Sequence, residues 1–126
     1  MSTLPTPESH YISLNQAVEM TTRYRTNRDG ILKPEYAGQD LLAYAETFNK
    51  EAFRTFWEDA DCAGIRVYYG MSEDLKVHAI FVGVTEDNED ILPPLSDTNT
   101  FADGAVILED GKRCPPYCAS GSPLNQ

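Results

Sequence analysis

The sequence predicts an α+β domain in which N-terminal helices pack on a small antiparallel β meander. Three observations predict it. Ser13-Leu14-Asn15-Gln16 has the form of a capping box, and the apolar residues behind it recur at three- and four-residue steps. After Gly64 the period changes to alternation, rich in β-branched and aromatic residues. Two runs of that kind, 65–69 and 77–84, stand on either side of a short polar turn, as antiparallel neighbours do.

The first helix should start at Ser13, whose hydroxyl can accept from the Gln16 amide while Gln16 reaches back. Leu14, Ala17, Val18, Thr21 and Tyr24 form its apolar stripe, and Asn27-Arg28-Asp29-Gly30 supplies a stop. Arg23, Arg25 and Arg28 fall in its last turns, where cations complement the negative end of the helix dipole. Gly30 to Gly38 reads as a connector, with Pro34 denying its predecessor helical geometry. Leu41, Leu42, Tyr44, Ala45 and Phe48 keep helical spacing and predict a second helix. Asn49 is placed to cap a third, short one carrying Ala52, Phe53, Phe56 and Trp57. These aromatics are expected in the core.

Between the two strands lies Ser72-Glu73-Asp74-Leu75. With Glu73 and Asp74 at the tip, Tyr69 pairs with His78, Val67 with Ile80 and Ile65 with Val82, all on the face turned to the helices. The other face then carries Arg66, Tyr68, Val77, Ala79 and Phe81, too apolar for an ordinary wet surface, so a helix, a partner subunit or a flat ligand should cover it. A turn of odd length would shift this register and mix the two sets. Ala105-Val106-Ile107-Leu108 is expected as a third strand between the turn signals Asp103-Gly104 and Asp110-Gly111. A polar loop precedes it, running from Leu95 through Ser96 and Asn99. The acidic run Glu86 to Asp90 does not make a calcium loop: counted from Asp87, Leu92 and Thr98 stand where a glycine and a bidentate glutamate are needed.

A chain of 126 residues fits one domain, read here as a flexible arm over 1–12, an α+β domain over 13–112 and an irregular proline- and cysteine-containing tail over 113–126. Hydrophobic residues make up 41%, too many for a disordered chain, and no apolar run approaches the roughly 20 residues that span a bilayer. The net charge of -10 has the wrong sign for neutralising phosphates, so neither nucleic acid nor an anionic membrane is expected as a partner. The charge is uneven: residues 1–57 hold seven acids and six bases, residues 58–126 thirteen acids and four bases. Such asymmetry can steer a cationic partner, though its ordinary role is solubility. Pro5, Pro7 and Glu8 stand where a secretory leader would be basic and then apolar, and three cysteines are an odd number for a disulfide framework; both favour a cytoplasmic setting.

No catalytic motif is present, two histidines leave little for acid–base work, and no catalytic residue or cofactor is expected. The most unusual local feature is Arg113-Cys114-Pro115-Pro116-Tyr117-Cys118. Its prolines favour an extended path that would hold the sulfurs apart, so a disulfide needs a turn at Pro116-Tyr117. Cys62, Cys114 and Cys118 with His78 or His10 would make a Cys3His zinc set, a weak signal because only two of the ligands are close in sequence, and no metal site is expected from it.

With the strand Gly64-Ile65-Arg66-Val67-Tyr68-Tyr69-Gly70, its apolar partner and the Cys-Pro-Pro-Tyr-Cys tail in view, the chain resembles a group of small uncharacterised proteins of Bacteroidetes-type bacteria over most of residues 13–118. The resemblance implies a bacterial setting and carries over no activity, cofactor or catalytic residue.

Three functions stay open on the sequence. The leading one is a non-enzymatic protein-interaction module, a homodimer or a binder of another protein, working through a face of Arg66, Tyr68 and Phe81. A second is a thiol-dependent metal-binding or redox site at Cys114 and Cys118. The third is a small-molecule pocket between helices and sheet, with Trp57, Tyr69 and His78 as polar-tipped candidates and no ligand indicated.

Overall fold

In the computed structural model, which describes residues 3–94 and 105–125, the capping box opens helix α1, Leu14–Asn27. The Gln16 amide donates to Ser13 Oγ at 3.1 Å and the Ser13 amide to Gln16 Oε1 at 2.8 Å, so two orphan donors are satisfied reciprocally. α1 buries none of its residues, and Leu14 and Met20 stay exposed. It is fastened at its C-terminal end: the Tyr24 hydroxyl donates to Ala43 O at 2.6 Å and Arg25 to Leu124 O. Arg28 does more than complement a dipole. It is 6% exposed, donates to Leu42 O and to Asp40 Oδ1 (2.8 Å), and stacks on the Tyr44 ring 4.0 Å from its centroid.

The helix expected over Leu41 to Phe48 is not formed. This segment is extended, and strand β1, Ala45–Thr47, pairs antiparallel with β5, Lys112–Cys114. A stripe this short holds little helix on its own. In the extended form carbonyls of this stretch go instead to two guanidinium groups, the buried Arg28 and the half-buried Arg113: Leu42 O to Arg28, and Asp40 O and Leu41 O to Arg113. Asn49 caps as expected, its Oδ1 accepting from the Glu51 amide at 2.8 Å, and a 3-10 turn at Lys50–Phe53 leads into helix α2, Arg54–Glu58.

The meander is a sheet of β2, Gly64–Met71, β3, Val77–Val84, and β4, Asp90–Ile91, in the order β2-β3-β4. Its register is one residue from the expected one: Tyr69 faces Ala79, Val67 faces Phe81 and Ile65 faces Gly83. The cause is an odd turn. Met71 pairs with Val77, and the chain between them closes through Ser72 N to Lys76 O at 3.0 Å, with Leu75 at φ 69°. The side chains therefore divide differently. Ile65, Val67, Tyr69 and Met71 share a face with Val77, Ala79, Phe81 and Gly83; Arg66 and Tyr68 share the other with His78, Ile80, Val82 and Val84.

The first face meets the aromatics expected in the core. Phe48 and Phe53 stand edge-on to Phe81 at 5.0 and 5.2 Å, and Phe56 packs on Phe53 at 5.7 Å. A β-carbon at Gly83 would lie 2.9 Å from Cys62 Sγ, so glycine permits this approach. The second face is covered by the chain's own non-helical parts. Arg66 and Tyr68 reach across β3 to Asp90, Thr3 donates from its amide to Glu86 O at 3.0 Å, and Leu4 packs against Gly64. The segment read as a loose arm is thus tied at its start. Leu41, Phe56, Val82, Val84, Ala105, Val106 and Cys114 are buried.

The third strand expected over 105–108 reduces to one bridge, Leu108 to Phe81. Asp110, at φ 69°, makes the expected turn before Gly111, whereas Leu95, Ser96, Asn99 and the Asp103-Gly104 signal lie outside the described residues. The tail is not extended. Tyr117 N donates to Arg113 O at 3.0 Å, and this turn brings the Cα atoms of Cys114 and Cys118 to 4.7 Å in a disulfide.

Candidate protein interface

Strand β3 is sealed along the side away from β2 by a patchwork. Val77 N donates to Leu41 O (2.8 Å), Ala79 N to Glu46 Oε1 (3.1 Å), Phe81 exchanges two bonds with Leu108 (2.8 and 3.0 Å), and Gly83 pairs with Ile91. Three separate stretches of chain supply these partners. Alternation in an antiparallel ladder then dictates that the N–H and C=O groups of Ile65, Val67, Tyr69 and Met71 point away from β3. Among the described residues, nothing bonds to them. Among the described residues, β2 is a free edge along its whole length.

That edge lacks the usual protection. Natural edges carry lysines, prolines or bulges that discourage pairing. β2 has one charged residue, Arg66, and its guanidinium is turned back over β3 to Asp90 Oδ1, Asn88 Oδ1 and Asn88 O. The Tyr68 hydroxyl donates to the other Asp90 oxygen. These contacts with Asp90 and Asn88 hold the guanidinium over β3 and away from the edge. What remains at the edge is apolar: Tyr69 is 81% and Met71 63% exposed, and Ile65, Val67 and Tyr68 are exposed beside them.

The candidate residues are redistributed accordingly. Arg66 and Tyr68 meet at Asp90, while Phe81 lies on the opposite face beneath Phe48 and Phe53, so the three do not form one surface. Tyr69 and His78 both line a hollow of about 260 Å³ with Phe48 and Phe81. Trp57 stands apart, beside Pro5, Pro7 and His10 in an open groove of about 790 Å³. His78 Nδ1 is 3.0 Å from Glu109 Oε1, but off the angle of a hydrogen bond; it and Glu46 Oε2 are buried without such a bond.

The sulfurs do not assemble a metal site. Cys114 and Cys118 are bonded to each other, and Cys62 Sγ donates to Gly64 O at 3.3 Å. Among the described residues, no group of three or more histidine, cysteine or acidic side chains is placed to hold a metal ion. No helix among them is long and apolar enough to cross a membrane.

Sequence reasoning missed the edge. Nothing in the composition of β2 distinguishes it from an inner strand, because its status depends on which strand the segments around Leu41, Glu46, Ile91 and Leu108 choose to seal. Comparison of the chain with models of protein families, with curated proteins and with solved structures finds no match.

Proposed function

We propose that this chain is a non-enzymatic protein-interaction module that works by strand addition at the β2 edge. The observation that supports the reading is the row of unpaired backbone groups at Ile65, Val67, Tyr69 and Met71 along an apolar, uncharged strand margin. Backbone groups of this kind supply affinity in β-augmentation, and the flanking side chains supply selectivity. The setting proposed is the cytoplasm of a bacterium. The test is isotope-labelled protein followed by NMR, first concentrated alone and then added to unlabelled cell extract. Signal loss confined to β2, and abolished by Tyr69→Lys, is expected in one of the two. No residue-selective change in either overturns the reading.

The clasp at Cys114 and Cys118 favours a second, redox reading. Cys114 is 3% exposed whereas Cys118 is exposed, so an external dithiol can attack only Cys118 and release Cys114 as the thiolate. A redox titration tests it: a midpoint near the glutathione range supports a reversible clasp, and one far below that range makes the bond purely structural.

A further inference from the structure

Resting on the interaction reading, we propose that the occupant of the edge is a second copy of this chain, joined β2 to β2 in an antiparallel register centred on Tyr68. Outward-pointing residues can pair only with outward-pointing residues. Centred on Tyr68, Ile65 meets Met71 of the other copy and Val67 meets its Tyr69, so all four outward residues of both strands are used. Moving the centre to Val67 or Tyr69 strands one of the four beyond the end of its partner, and larger shifts strand more.

The side chains agree with the same register. On one face every cross-strand pair is apolar: Ile65 with Met71 and Val67 with Tyr69. On the other, Arg66 stands opposite Gly70, which has no side chain, so the two arginines of the dimer do not face each other. Tyr68 meets its own copy on the two-fold axis. Its hydroxyl and the Arg66 guanidinium lean away toward Asp90, which leaves the seam open to backbone approach. An isologous two-fold contact of this kind closes on itself and joins the two three-stranded sheets into one continuous sheet. Each copy carries a net charge of -10, so the copies repel at long range and salt should favour association. A partner of opposite charge would show the reverse salt dependence.

The test is sedimentation of the purified full chain across protein concentration and salt, together with cross-linking. The wild type should shift from monomer to dimer as either is raised, and Tyr69→Lys should weaken the dimer at least tenfold. In a Cys62→Ala background, Tyr68→Cys should give a disulfide-linked dimer at least tenfold more readily than Val67→Cys, because position 68 faces itself and position 67 faces Tyr69. If Tyr68→Cys does not fold, the wild-type sedimentation decides alone. A monomer at every concentration and salt, or equal cross-linking at the two positions, overturns the proposal. A purified monomer whose β2 signals still vanish in cell extract would discard the second copy and keep the interaction reading; β2 signals unchanged in both settings would discard both.

Discussion

Arg66 and Asp90 meet across a strand that lies between them: one stands on β2, the other on β4, and β3 runs beneath their ion pair. The contact has two consequences. It covers part of the sheet face that carries the buried Val82 and Val84, and it withdraws the only cation of β2 from the edge where it would discourage pairing.

Asp90→Ala should therefore act on both. It removes the acceptor of Arg66 and Tyr68 and is expected to lower stability. It should also weaken self-association, because the freed Arg66 returns to the seam. Urea denaturation and sedimentation of the same variant check the pair of effects. A variant as stable and as associated as the wild type would contradict the account.

Arg28 and Arg113 hold the segment that sequence spacing suggests is helical. Arg28→Ala is expected to cost about 3 kcal/mol, since it strips Leu42 O and Asp40 of their partner and unstacks Tyr44. Arg28→Lys should recover less than half of this, because an ammonium has neither the fork nor the planar stacking surface. Thermal or urea unfolding of the two variants measures the difference.

Tyr24 gives the fold an alkaline limit. Burial raises its phenol pKa above the ordinary value, with Arg28 and Arg113 acting the other way. The neutral phenol is the form the folded chain prefers, so its contribution is complete below the unfolded value of about 10 and is lost as pH rises through the higher folded value. Tyr24→Phe should cost about 1 kcal/mol at neutral pH through the lost bond to Ala43 O, and should flatten the decline above pH 10. Stability profiles that stay parallel above pH 10 would show that Tyr24 is not the group responsible.

Among the described glycines, Gly111 is the one whose replacement should be felt most. A β-carbon there would stand 2.4 Å from Phe48 Cε1 and 3.0 Å from Glu46 Oε2, at the point where the Phe48 ring packs on Phe81. Gly111→Ala is expected to cost about 1–3 kcal/mol by overpacking. Gly38→Ala meets no atom within 4 Å, and there the cost comes only from its φ of 78°. Comparing the two by denaturation separates crowding from backbone strain.

Reduction of Cys114–Cys118 should lower stability by about 2 kcal/mol, the loop-closure entropy of so short a loop. The loss should be felt at the C-terminus, where Asn125 Nδ2 donates to Ala119 O and Leu124 O accepts from Arg25. Hydrogen exchange with and without reductant checks it, and unchanged protection at residues 119–125 would contradict it.

What was legible in the sequence were the signals that act locally. The capping box at Ser13, the cap at Asn49 and the two long strands are written in neighbouring residues and form as read. The segment around Ala45 was not legible, because its fate is decided by Cys114 and by Arg28 and Arg113, which are distant in sequence. Register failed by one residue because the Ser72 turn takes an odd number of residues, and that parity moved Phe81 away from Arg66 and Tyr68. The free edge of β2 is a property of the finished sheet, and no residue in the strand announces it.

Amide hydrogen exchange along β2, followed as the protein is concentrated, distinguishes an open edge that pairs with a second copy from one that does not. The amides of Arg66, Tyr68 and Gly70 bond to β3 and should be protected at every concentration. Those of Ile65, Val67, Tyr69 and Met71 should exchange freely when dilute and gain protection together as the chains associate. Odd-numbered amides that stay unprotected at high concentration, or that are already protected when dilute, would contradict the assignment of β2 as an open edge that pairs with a second copy.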